Sequence, residues 1–172
     1  MKSKLMPSIV LGAICLAVAL LLSVVNMITA PIIEQAQNEK NLAAMREVLP
    51  DATELKQTNV YDNIIDKSIS AVYEGAEGYV FQVKTQGKSS GMVVMIGIGT
   101  DGKIAGTKCT ANEETPGYAK PVFDKTENGY YVGQDLAGFK PHLVSGSTLT
   151  SKAYSDAVKA ALDAYAAIKG GN

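Results

Sequence analysis

From Ser8 to Ile33 the chain carries no charged side chain, and the core IVLGAICLAVALLLSVV runs from Ile9 to Val25 before continuing to Ile28. A helix rising 1.5 Å per residue needs about 20 apolar residues to cross a hydrocarbon core about 30 Å thick. The run therefore predicts one transmembrane helix. Lys2 and Lys4 precede it and Glu34 is the first charge after it, so the excess of positive charge places Met1 in the cytoplasm and everything after Ala30 outside. A cleaved secretory signal would have a shorter apolar region and a usable small-residue cleavage site. The one plausible site here, Ala30, is followed directly by Pro31, and a retained single-pass anchor is expected.

What remains after the anchor suffices for one domain, because the whole chain has 172 residues and single domains usually span about 100–200. Sixteen basic residues against 17 acidic ones give a formal net charge of −1, which supplies no basic surplus for a phosphate backbone. No nucleic acid partner is expected. Cys15, Cys109 and His142 exhaust the cysteines and histidines and cannot furnish a four-ligand N/S zinc site, so no metal is expected and both thiols should be free.

Residues 32–49 space Ile33, Ala36, Leu42, Met45 and Leu49 loosely at helical intervals before Pro50, which predicts a helical stalk. A polar stretch follows, Asp51 to Ser70, and then β-type runs at 71–74, 78–85, 91–99 and 103–109. Asp101-Gly102 between the last two is a hairpin-turn dipeptide, so the strands should be antiparallel. The glycines at 75, 78, 87, 91, 97, 99 and 102 read as punctuation between short strands. Toward the C-terminus Tyr154, Ala157, Val158, Ala161, Leu162, Tyr165 and Ile168 recur at the 3.6-residue period of an amphipathic helix, ending at Lys169-Gly170-Gly171, a cation and glycines suited to a helix end with a left-handed cap. The expected fold class is α+β: an N-terminal transmembrane helix followed by an antiparallel sheet packed against helices. The expected division is an anchor at 1–33, a helical stalk at 34–50 and an extracytoplasmic domain at 51–172.

Five hydroxyls and one glycine crowd into Ser145-Gly146-Ser147-Thr148-Leu149-Thr150-Ser151, just ahead of the C-terminal helix. One hydroxyl suffices to cap a helix, and Thr150 and Ser151 are the expected caps. The surplus, with a glycine that lets backbone N–H groups approach an anion, suits a phosphate at the helix N-terminus. His142 precedes Ser145 by three residues, yet no orienting acid accompanies the pair, and a nucleophile reading has little support. No catalytic side chain is expected. Tyr118, Tyr130 and Tyr131 read first as half-buried tyrosines at sheet edges, with the lining of a ligand ring as the alternative and Tyr118 first among them for that role.

The string SGSTLTS at 145–151 resembles the S/T-G-A/S-T-x-T/S motif of extracytoplasmic FMN-binding domains, in which a flavin transferase esterifies the motif threonine with FMN phosphate. The matching residue is Thr148. Glu114-Thr115-Pro116-Gly117, followed by Tyr118, resembles the family's ETPG element near the flavin, and GIGTDGKIAG at 97–106 resembles its glycine-rich strand pair. This chain has Ser147 where the family commonly has alanine, His142 in place of an aspartate, and Asn112 in place of a histidine. With its single N-terminal span, the chain is similar to the G subunits of Rnf complexes, the ion-pumping ferredoxin:NAD oxidoreductases; the C subunit of the sodium-pumping NADH:quinone oxidoreductase shares the domain. The resemblance implies covalent FMN on Thr148, with Ser145, Gly146, Ser147, Leu149, Thr150, Ser151, Glu114, Thr115, Pro116, Gly117 and Tyr118 around it. It also implies electron transfer within a membrane complex and no independent catalysis. The partners it implies are the other Rnf subunits, a flavin transferase and membrane lipid. The alternative from another class is a flavin-free, membrane-anchored binding or assembly module.

Overall fold

The computed structural model describes residues 2–59 and 66–170. The chain divides into two compact units, Met1–Lys40 and Asn41–Asn172, with a long helix α1 (Lys2–Val48) contributing to both. In the first unit Val10, Leu11, Ile14, Leu16, Leu20 and Leu21 all stand exposed, and the helix is long and apolar enough to cross a membrane. Thr29 returns its hydroxyl to the Val25 carbonyl at 2.9 Å, which satisfies a polar group that lipid could not.

The second unit is built on a meander of five antiparallel strands in sequential order: β1 (Lys56–Thr58), β2 (Ile69–Gly75), β3 (Gly78–Thr85), β4 (Met92–Gly99) and β5 (Ile104–Ala111). Strand alternation sends successive side chains to opposite faces. Phe81 and Val83 of β3 and Met92, Val94, Ile96 and Ile98 of β4 face one way, into the larger core. Val80 and Met95 face the other, into a smaller one.

Each face is closed by a helix. The larger core is covered by α3 (Thr148–Gly170), which buries Tyr154, Ala157, Val158, Ala161, Leu162 and Ile168 at the expected period. Its outer face pairs Lys152 with Asp156 at 2.7 Å and Lys159 with Asp163 at 2.6 Å. The helix extends through Gly170, and the cap expected at Gly171 lies outside the described residues. On the opposite face the last turns of α1 and the residue after it bring Ala44, Met45, Val48 and Leu49 onto Val80 and Met95.

That second contact corrects the reading of Gly97 as turn punctuation. Gly97 lies within β4 and pairs with Gly106 of β5. A Cβ on Gly97 would run into the Val48 carbonyl oxygen, and one on Gly106 would sit 2.9 Å from Val48 Cα. The glycine pair is a seat for the end of α1, where only hydrogen leaves room for a helix backbone. Gly102, by contrast, is a turn glycine with φ +79, in a loop closed by the Gly99 N–H donating to Lys103 O at 2.9 Å. The hairpin predicted from Asp101-Gly102 is thus present, and its connection is longer than a two-residue turn.

Two elements were not read from the sequence. The edge strand β1 lies in the polar stretch, and α2 (Pro116–Lys125) follows β5 and leads into a wide π-type turn at Thr126–Tyr130. Only Ala119 and Val122 of α2 are buried, and Pro121 interrupts it, so no apolar period announced it. The signal was Thr115-Pro116, an N-cap residue followed by proline at the first helical position.

Candidate functional site

Three segments distant in sequence meet at the N-terminus of α3: the β3–β4 connector, the start of α2, and the 144–151 turn. The turn is shaped by Gly146, whose φ of +82 is the left-handed conformation that glycine adopts without strain. Ser147 then takes the position before the first helical residue, its carbonyl accepting the Ser151 N–H at 2.9 Å.

The hydroxyls of this turn have separate tasks. Ser147 Oγ donates to the Tyr118 carbonyl at 2.6 Å, which fastens α2 to the head of α3. Thr150 Oγ1 donates to Glu114 Oε2 at 2.8 Å. Ser151 Oγ donates to Ser147 O at 2.9 Å and accepts the Val144 N–H at 3.0 Å. Thr150 and Ser151 are therefore already inside the helix and do not cap it, contrary to the sequence expectation; the helix begins earlier than its first buried apolar side chains suggested. Thr148 is the first helical residue, exposed, with its hydroxyl engaged by no described residue.

Glu114 is the organising acid, only 6% exposed. While Oε2 takes the Thr150 hydroxyl, Oε1 accepts the Ser89 N–H at 2.8 Å, so one carboxylate joins the connector to α3. Gly87 makes the approach possible, since a Cβ there would lie 2.6 Å from Glu114 Oε1 and 3.1 Å from Thr150 Cα. Beyond Glu114, Thr115, Pro116 and Gly117 are exposed at the opening of α2.

These segments border an open cavity of about 350 Å³ lined by Lys88, Tyr118, Gly146, Ser147, Thr148, Leu149 and Thr150. Tyr118 is 51% exposed and Leu149 63%, so two broad apolar surfaces flank the Thr148 hydroxyl without being spent on the core. Lys88 Nζ stands 5.3 Å from the centroid of the Tyr118 ring. The N–H groups of the first helical turn add partial positive charge at the same end.

Of the sequence candidates, Gly146, Ser147, Thr148, Leu149, Thr150 and Tyr118 line the cavity; Glu114 and Ser151 hold its walls from behind; Ser145 is exposed on the turn beside it. Tyr131 is a core residue, stacked between Phe139 and Tyr154 at centroid distances of 5.8 and 6.2 Å. Tyr130 packs instead on His142 at 4.5 Å. Burial, aided by the charge of Lys125, holds the His142 imidazole below its ordinary pKa, and its Nε2 is shut from solvent without a partner among the described residues. Nothing there activates a serine. Sequence reasoning missed Gly87, Lys88 and Ser89, which no spacing rule connects to residue 148.

Known proteins share both halves of this arrangement. The FMN-binding domain family matches residues 87–163, from the connector through most of α3, and the RnfG N-terminal region matches residues 2–48. The G subunit of the Na(+)-translocating ferredoxin:NAD(+) oxidoreductase complex of Acetobacterium woodii is 27% identical over 91% of this chain and 89% of its own length. The G subunit of the proton-translocating ferredoxin:NAD(+) oxidoreductase complex of Clostridium ljungdahlii is 25% identical over the same shares. The G subunit of an ion-translocating oxidoreductase complex of Methanosarcina acetivorans is 27% identical over 78% of this chain and 79% of its own length. Fold, cavity and these matches define the chain as a membrane-associated FMN-binding-domain protein. With matches to the RnfG N-terminal region and the FMN-binding domain in order on one chain, it is similar along most of its length to the G subunits of these complexes.

Proposed function

We propose that this protein is the flavin-bearing electron-transfer subunit of a membrane-bound, ion-translocating ferredoxin:NAD oxidoreductase complex, holding FMN through a phosphoester to Thr148. The observation that carries the attachment site is the distribution of hydroxyls. Within 145–151 those of Ser147, Thr150 and Ser151 are committed to Tyr118, Glu114 and the Ser147 carbonyl; those of Ser145 and Thr148 are engaged by no described residue, and of these two residues only Thr148 lines the cavity. A flavin transferase would supply a flavin phosphate activated as a phosphoanhydride: the bond from the Thr148 oxygen to phosphorus would form as the P–O–P bond breaks, the second phosphate departing as the leaving group and the hydroxyl proton passing to solvent.

The residues present fit the group. A phosphodiester at Thr148 keeps one negative charge, which the head of α3 stabilises by about 0.3–1 kcal/mol when partly exposed. Tyr118 and Leu149 offer apolar surface for a ring, and Gly146 leaves the approach open, with no atom within 4 Å of a Cβ built there. Bound FMN supplies reversible electron transfer; the side chains orient it and set its electrostatics. Attachment also fixes the local flavin concentration whatever the dilution outside.

The positive charges of Lys2 and Lys4 ahead of the apolar run support an N-terminus in the cytoplasm and an extracytoplasmic flavin domain. The relatives named as G subunits support the remaining complex subunits as partners, and the RnfG N-terminal match favours this assignment over a C subunit of the quinone-reducing pump.

The test is peptide mass mapping of the chain expressed with the transferase. Wild type should carry FMN on the peptide containing Thr148, giving a flavin absorption band in the visible that survives denaturation, and Thr148→Val should carry none while keeping its far-UV helical signal. Flavin on Thr148→Val would reassign the acceptor; wild type without flavin would leave an anchored assembly module as the function.

A further inference from the structure

Lys88 is set apart by how its backbone is held. On its two sides, Gly87 packs against Glu114 Oε1 and Thr150 Cα, and the Ser89 N–H donates to Glu114 Oε1 at 2.8 Å. Ser89 is bonded to the buried carboxylate and Gly87 lies against it, which holds the backbone of residue 88 at the rim of the cavity containing Thr148. The ammonium lies over Tyr118, and no carboxylate among the described residues forms an ion pair with it; the nearby Glu114 spends both oxygens on Ser89 and Thr150. The cavity rim therefore carries a cation on a held backbone that forms no ion pair among the described residues.

We propose that Lys88 is a redox-tuning residue: its ammonium stabilises the reduced, negatively charged flavin ring relative to the oxidised, neutral one. This rests on the reading of the cavity as the FMN site. The oxidised ring is uncharged; taking up two electrons and one proton from a chemical reductant leaves it with one negative charge, and a cation within the same cavity lowers the free energy of that state alone. At an effective dielectric constant of about 20, opposite charges separated by the width of such a cavity attract by an energy worth roughly tenfold or more in an equilibrium constant. Exposure of the lysine screens the upper part of that range. The Glu114 clasp matters because a lysine on a loose loop would follow the solvent instead of the ring.

The experiment is a potentiometric titration of the full-length chain in detergent, with dithionite as reductant and the visible flavin absorbance as the readout. Flavin content is measured in parallel by mass spectrometry. Lys88→Gln should retain flavin and become harder to reduce, with the reduced-to-oxidised ratio at a fixed poise falling about tenfold. Lys88→Glu should shift it further in the same direction, and Lys88→Arg should keep the wild-type value. Raising the salt concentration should narrow the gap between wild type and Lys88→Gln. A merely structural lysine would change none of these ratios. Equal potentials for wild type, Gln and Glu variants overturn the proposal. If mass mapping finds no flavin on wild type, the attachment at Thr148 falls by itself, and the same titrations with FMN added to saturation read the Lys88 effect. Failure of FMN to associate even then overturns both.

Discussion

Thr150 shows how a residue's role changes when its neighbours are known. As a cap it would satisfy a helix N–H; as found, its hydroxyl is the donor to a buried carboxylate that also receives Ser89. Thr150→Val should therefore cost more than a lost cap, about 1–3 kcal/mol, because Glu114 Oε2 is left buried without a donor. Thr150→Ser should recover most of it, and urea denaturation of the domain measures both. Cys109 is the other residue with a clear chemical consequence: burial, reinforced by the charge of Glu127, pushes its thiol up to about 11. The thiolate is the nucleophile, so in mildly alkaline buffer alkylation of Cys109 should be slow in the folded protein and rapid in urea. His142 gives the pH dependence. Its folded pKa lies below the ordinary value of 6.5, so the unfolded chain binds the proton first. That contribution to stability is intact above about pH 6.5 and is lost as pH falls through that value toward the lower folded one. His142→Gln should remove this part of the slope in urea midpoints followed from neutral to mildly acidic pH.

At the scale of elements, the end of α1 is the piece whose behaviour is least like its sequence appearance. It reads as a stalk, yet Val48 rests on paired glycines in β4 and β5, and Lys108 of β5 bonds Glu47 at 3.1 Å and Glu127 at 3.0 Å. Gly97→Ala should destabilise the domain by at least the roughly 1–3 kcal/mol typical of overpacking, since backbone and not a flexible side chain opposes the new methyl. Hydrogen exchange should then rise first in residues 44–49, while amides in α3, on the far face, stay protected. Equal loss of protection in α3 would mean that the two cores are a single cooperative unit.

For the molecule as a whole, the two units make separable demands. The chain from Asn41 onward contains Ala44, Met45, Val48 and Leu49, the residues that cover Val80 and Met95. A fragment beginning at Asn41 should be soluble and cooperative, whereas one beginning at Asp51 should expose the second face of the sheet and aggregate or lose stability. Thermal unfolding and light scattering of the two fragments decide it. In intact cells the proposed orientation makes a cysteine introduced at Leu149, a 63% exposed position, reactive toward an impermeant maleimide applied from outside; reaction only after lysis would reverse the topology.

The long apolar N-terminal helix, the strands on either side of Asp101-Gly102 and the C-terminal helix were legible in the sequence because each depends on a local quantity: the length of an apolar run, a turn dipeptide, a 3.6-residue period. The motif at 145–151 and the glutamate at 114 were legible as strings, and with them the proposed acceptor Thr148. What the strings did not contain was the distribution of hydrogen bonds among their hydroxyls, the helical start at Pro116, or the arrival of Gly87, Lys88 and Ser89 beside them. Those depend on the β3–β4 connector and α2 being carried by the sheet to the head of α3, a meeting of residues far apart in the chain. Local chemistry marked out the hydroxyls of 145–151 as candidates; only tertiary packing decided which uncommitted hydroxyl belongs to a residue lining the cavity and which cation stands beside it.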